Sequence, residues 1–122
     1  MYKFNRRERL GLDRDVESVL REGRRVSDET LSLAWLGRAG TLRRIALRVP
    51  KRLGNAVDRN RVKRVLREIF RKEKSRIRPG TDMVLIVRPF PQLAGMSFGE
   101  LRDKSVSLFK KAGIWEGAEE RS

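Results

Sequence analysis

Seven polar side chains in one stretch have the types and the spacing to grip phosphates: Arg59, Asn60, Arg61, Lys63, Arg64, Arg67 and Arg71. Asn60, Arg64, Arg67 and Arg71 fall at i, i+4, i+7 and i+11. On a helix that is one line with steps of roughly 4.5 to 6 Å, close to the phosphate spacing of a nucleic-acid strand. Arginine outnumbers lysine here, and its planar guanidinium makes forked contacts to phosphate oxygens and base edges. Behind the line, Val62, Val65, Leu66, Ile69 and Phe70 occupy a stripe about 140° wide, the pattern of a core-facing side. The spacing predicts a helix from Asp58 to about Lys74, closed by Pro79-Gly80, with one apolar and one cationic face. Arg59, Arg61 and Lys63 crowd its predicted first turn, where the macrodipole disfavours cations by some tenths of a kcal/mol each. An external anion would offset that cost, and free N–H groups at a helix N-terminus are themselves suited to phosphate.

The whole chain has 122 residues, 30 Lys+Arg against 16 Asp+Glu, and a formal net charge of +14. Residues 43–78 hold 15 basic side chains against only Asp58, Glu68 and Glu73, while the segments on either side are nearly balanced. A scattered excess serves solubility, whereas a concentrated one points to a polyanion, with an anionic membrane surface as the lesser alternative. The sequence has no His and no Cys, which removes imidazole proton shuttles, thiolate nucleophiles, disulfides and the zinc sites built from them. Asp13 and Asp15 form a D-x-D pair that could hold a metal, but a helix N-cap followed by a first-turn acid accounts for both. No acid stands between Asp82 and Glu100 to complete a two-metal nuclease motif. No apolar run approaches the roughly 18 to 20 residues that span a bilayer, and Met1 to Glu8 do not read as a signal peptide, so a cytoplasmic protein is expected.

The remaining elements must position this helix. Asp13 to Glu22 reads as a short amphipathic helix, with Leu12, Val16, Val19 and Leu20 on one side and Gly23 as its stop. Leu31, Leu33 and Trp35 alternate with Ser32, Ala34 and Leu36, and Ile45, Leu47 and Val49 alternate with Arg44, Ala46 and Arg48, predicting two antiparallel strands around the turn signals Gly37 and Gly40. Met83 to Val87 is apolar without alternation, as in a strand covered on both faces at the centre of a sheet. Ser97 to Glu100 is a capping box that opens a last amphipathic helix, stopped at Gly113. The length suits one domain, residues 1–115, with 116–122 as a polar tail.

RNA is favoured over DNA as the polyanion. A strand and a Gly-containing loop precede the basic helix where a helix-turn-helix would need another helix, and zinc ligands and heptads are absent. The aromatic signature of a base-stacking sheet is also missing, so helix, loop and phosphate contacts should dominate.

The run from Lys51 to Glu68, KRLGNAVDRNRVKRVLRE, closely resembles the signature of the bacterial ribonuclease P protein component, built around Arg-Asn-Arg, then Lys-Arg, then Arg-Glu. A looser likeness extends over nearly the whole chain. The resemblance implies an α+β domain in α-β-β-β-α-β-α order, with a four-stranded mixed sheet and a left-handed βαβ crossover, like domain 2 of ribosomal protein S5. It implies a subunit of a ribonucleoprotein endonuclease whose large RNA removes the 5′ leader of precursor tRNA, using Mg²⁺ held by RNA and substrate. Carried over by position, Arg59, Asn60, Arg61, Lys63, Arg64, Arg67 and Arg71 would face the ribonuclease P RNA. Val16, Leu20, Ala34, Arg48, Lys51, Arg52 and Asn55 would take the single-stranded leader. The family usually has aromatic residues on the cleft side of the first helix and on the facing strand; here Val16, Leu20 and Ala34 make the expected contact apolar and electrostatic. No catalytic residue, protein-bound metal, membrane or DNA partner is expected. The alternative is a stand-alone RNA-binding or ribosome-associated module without nuclease activity.

Overall fold

A computed structural model describes residues 6–116; Met1 to Asn5 and residues 117–122 of the expected tail lie outside the described residues. After a 3₁₀ turn at Arg6–Glu8, the order is α1 (Asp13–Glu22), β1 (Arg24–Ser27), β2 (Leu31–Gly37), β3 (Arg43–Arg48), α2 (Ala56–Glu73), β4 (Thr81–Val87) and α3 (Phe98–Ala112). The four strands form one sheet in the order β1-β2-β4-β3, with β4 antiparallel to β2 and parallel to β3. The apolar run predicted as a central strand is thus β4, flanked on both edges and buried on both faces except at half-buried Ile86.

The sheet separates two apolar layers. α2 and α3 cover one face, where Leu31, Leu33, Ile45, Met83 and Leu85 pack against Leu66, Phe70, Leu101 and Phe109. Trp35 sits on this side, as its alternation requires. α1 alone covers the other face, burying Val16 and Val19 against Ala34 and Val84. One helix is too narrow for a four-stranded sheet, so Leu20, Ala46 and Ile86 on the α1 face stay partly open.

Several local expectations are corrected. β2 and β3 run antiparallel but do not pair, because β4 inserts between them. The link between them wraps around Gly80: Arg38 N–H donates to Gly80 O at 2.7 Å, and Gly80 N–H donates to Leu42 O at 3.0 Å. Gly80 has φ +72°, and a Cβ there would lie 2.6 Å from Arg38 O, so only glycine fits this insertion. β1 carries a single apolar residue, Val26, and shows no alternation to find. Leu12, not Asp13, occupies the N-cap of α1, so Asp13 and Asp15 are both first-turn acids. Gly23 ends α1 by close approach: a Cβ would lie 2.3 Å from Trp35 O. α2 starts two residues earlier than its apolar stripe indicates, capped by Asn55, whose Oδ1 accepts the Asp58 N–H at 2.8 Å. Its first turn therefore holds Asp58, and Arg59, Arg61 and Lys63 fall beyond it, which removes most of the dipole conflict. Glu116 is tied down, its N–H donating to Arg76 O at 2.5 Å beside the Ile77–Trp115 bridge.

Candidate nucleic-acid interface

α2 is not uniformly cationic once its partners are counted. From Glu68 onward the charges are used within the protein. Arg71 donates to both carboxylate oxygens of Glu68, which raises the guanidinium and lowers the carboxyl of that pair. Lys74 Nζ lies 2.7 Å from Glu8 Oε2, Glu73 pairs with Arg102 at 2.9 Å, and Lys72 sits 5.3 Å over the Phe98 ring. Over the stretch before Glu68, Arg59, Asn60, Lys63, Arg64 and Arg67 have no side-chain partner among the described residues.

Arg61 is the exception in that stretch. Its guanidinium turns away from solvent and donates to Ala94 O and Met96 O, both at 2.9 Å, fastening the 3₁₀ turn Pro91–Gly95 to α2. Of the seven side chains read as one phosphate-gripping set, Arg61 and Arg71 are thus spent on protein contacts and the other five are available.

The candidate leader residues divide as well. Val16 on α1 and Ala34 on β2 are 3% and 1% exposed and pack together in the layer between α1 and the sheet. Leu20 is half-buried at the open margin, and Arg48, Lys51 and Arg52 are exposed at the far end of β3 and in the 3₁₀ turn Lys51–Leu53. Asn55 is taken up as the α2 cap. Arg48 pairs in register with Ile86 and lies at the meeting point of two clefts. One is apolar, about 390 Å³, bounded by Pro50, Ile86, Arg88 and Pro89 at the ends of β3 and β4. The other, about 180 Å³, lies where the segment before α1, β3 and α2 converge, and it is lined by Arg9, Asp13, Arg48, Lys63 and Arg67.

The other side of α1, at Asp15 and Ser18, is tied to the sheet by polar contacts. Asp82, 2% exposed, accepts Arg38 Nε at 3.0 Å and the paired nitrogens of Arg44; Arg38 reaches on to Ser18 Oγ at 3.1 Å, and Arg44 Nη1 lies 3.8 Å from Asp15 Oδ2. The carboxylate of Asp82 holds the Arg44 guanidinium above its ordinary value. On the side away from this clamp, Leu20 and Ile86 are half-buried and Arg48 is exposed. Sequence reading missed Arg9, Arg38, Asp82, Ile86 and Arg88. None shares a helical or strand repeat with the basic run: the β3–β4 register sets Asp82 beside Arg44 and Ile86 beside Arg48, a bridge to Ile45 places Arg9, the Asp82 carboxylate holds Arg38, and Arg88 follows the end of β4.

This architecture recurs in solved proteins. A structure titled RNase P protein from Thermotoga maritima matches with a TM-score of 0.76 at 33% identity, covering 86% of this chain and 97% of that one. One from Staphylococcus aureus gives 0.78 at 25% identity, covering 88% and 97%. A curated ribonuclease P protein component from Dictyoglomus thermophilum is 33% identical over 113 residues, covering 93% of this chain and 94% of the relative. The family model described as Ribonuclease P matches residues 4–113. Agreement in sequence, fold and length over nearly the whole chain has one reading: the protein belongs to the ribonuclease P protein component family.

Proposed function

We propose that this chain is the protein subunit of ribonuclease P. In this reading it binds the ribonuclease P RNA and the 5′ leader of precursor tRNA and assists hydrolysis of the phosphodiester bond that frees the mature 5′ end. The observation that carries the reading is the split along α2: its unpaired cations all lie between Arg59 and Arg67, before the Glu68–Arg71 pair, and Lys63 and Arg67 meet Arg48 in one cleft at the start of α1. Arg59, Asn60 and Arg64 supply the RNA-subunit face. Leu20, Ile86, Arg48, Lys51 and Arg52 supply the leader path, with Val16 and Ala34 in the packed layer behind it. The cytoplasm, where precursor tRNA is made, is the proposed location.

Among the described residues the carboxylates offer no set of ligands suited to a protein-held Mg²⁺. Asp82 is filled by two guanidiniums, Asp15 faces Arg44, and among the described residues no three His, Cys, Asp or Glu side chains converge. We assign the metal and the bond-breaking chemistry to RNA and substrate. The protein neutralises phosphates and holds the leader against a fixed surface, which favours association of substrate over product.

The test incubates precursor tRNA and Mg²⁺ with the protein alone, with ribonuclease P RNA alone, and with both. Cleavage that rises on mixing supports the proposal. No gain on mixing would favour a stand-alone RNA-binding module, and cleavage by the protein alone would make it a nuclease in its own right.

A further inference from the structure

We infer that residues 6–10 form a strap that fixes the start of α1, with Glu8 and Lys74 as its positioning pair for leader binding. The inference rests on the reading above only for which RNA meets α1. After the 3₁₀ turn Arg6–Glu8, the chain runs along the outer edge of β3. Arg9 makes a parallel bridge with Ile45, and the Leu10 N–H donates to Ile45 O at 3.0 Å. Leu10, 3% exposed, then enters the layer under α1 with Val16, Val19, Ala34 and Val84. It is the one buried member of that cluster that comes from neither α1 nor the sheet.

The strap is held from α2. Lys74 ends that helix, and its Nζ lies 2.7 Å from Glu8 Oε2 across 66 residues of chain. With the two side chains 15% and 13% exposed, water screens the pair poorly, and removal of either leaves the other enclosed without this counter-ion. The exposed pair Arg21–Glu22, by contrast, can exchange its partner for water at little cost.

Two features make α1 depend on the strap. Its N-cap, Leu12, makes no side-chain bond to the first turn, so no side-chain cap fixes where the helix begins. Its layer holds five buried apolar side chains against nineteen on the α2–α3 face, which places it at the low-stability end of the fold. The Asp82 clamp holds α1 at Asp15 and Ser18, and the strap holds it three residues ahead of Asp13. Leu20, on the leader path, takes its place over the sheet from both anchors.

The experiment compares the full-length wild type with Glu8→Gln by amide hydrogen exchange and by affinity for a leader oligonucleotide and for ribonuclease P RNA. Glu8→Gln adds one positive charge, which by itself tightens binding of any RNA. The strap predicts the opposite for the leader, whose binding should weaken about threefold as fewer molecules hold α1 in place. Protection of the Leu10 amide should fall by about tenfold. Ribonuclease P RNA should bind as before or tighter, and the Leu85 amide at the sheet centre should keep its protection, which separates a loosened strap from a destabilised fold. Lys74→Gln should repeat the loss at Leu10, and the double variant should lose no more than the larger single effect, because the two residues act as one pair. Unchanged Leu10 protection, leader binding that is unchanged or tighter, additive losses at Leu10, or weaker binding of both RNAs with Leu85 protection lost would each overturn the inference. Failure of wild type to stimulate ribonuclease P RNA would instead defeat the functional reading and leave the exchange result standing.

Discussion

Asp82 accepts the Arg44 guanidinium on both carboxylate oxygens, Nε to Oδ1 at 2.8 Å and Nη2 to Oδ2 at 2.7 Å, across the parallel β3–β4 pair. Because Arg44 and Arg38 also reach Asp15 and Ser18 on α1, this one buried acid sets how α1 lies on the sheet. Asp82→Asn removes the charge but keeps the shape. The two arginines are 28% and 37% exposed and can turn to water, so the expected loss is about 1–3 kcal/mol, below that of a fully buried broken pair. With α1 loosened, affinity for a leader oligonucleotide should fall while affinity for ribonuclease P RNA holds. Chemical denaturation and the two titrations check this; equal losses for both RNAs would mean that Asp82 acts on the whole fold.

Arg61 and Arg64 stand three residues apart on α2 and should fail in opposite ways. Arg61→Ala strips the donors from Ala94 O and Met96 O and should cost about 1–2 kcal/mol of stability with no change in salt slope. Arg64→Ala leaves an exposed position unpaired and should not move stability, but should lower the slope for RNA binding by about 0.7 to 0.9. Thermal melts and salt titrations of both variants decide the assignment.

Leu20 stands at the open margin of α1, half-buried beside Ala34 and Val84. A ring placed there would offer leader bases a stacking face worth about 1–3 kcal/mol. Leu20→Phe should therefore tighten binding of a leader oligonucleotide by several-fold to tenfold and leave RNA-subunit binding unchanged. An unchanged leader affinity would place the bases away from this side of α1.

Acid should loosen the β1–β2 turn. Burial alone would push the Asp28 carboxyl up, but the N–H of Leu31, the hydroxyl and N–H of Thr30 and the charge of Lys104 hold it below its ordinary value. A carboxyl lowered on folding contributes stability above its unfolded pKa, about 3.9. That contribution is lost as the pH falls through the lower folded value. Asp28→Asn should flatten the stability profile below about pH 4 while lowering stability at neutral pH. A wild-type and variant pair with parallel profiles would remove Asp28 as the cause.

Sequence alone determined the elements whose signals are local. The 3.6-residue stripe from Val62 to Phe70, the unbroken apolar run Met83 to Val87, the capping box at Ser97 and the concentration of charge in residues 43–78 each report on neighbours in the chain, and each is realised in the fold. The tertiary structure decided which cations are available. Arg61 and Arg71 read as members of one set with Arg64 and Arg67 because helical spacing measures direction and says nothing of what stands opposite. The carbonyls of Ala94 and Met96, distant in sequence, and the Glu68 carboxylate settle their use. In the same way, β1 lacks alternation because only one of its residues meets the core, and the separation of β2 from β3 depends on a strand some forty residues further along, inserted around Gly80. Contacts between residues far apart in the chain leave no periodic trace in either partner, and only such contacts bring Arg9 and Arg48 to Lys63 and Arg67, which stand one turn apart on α2.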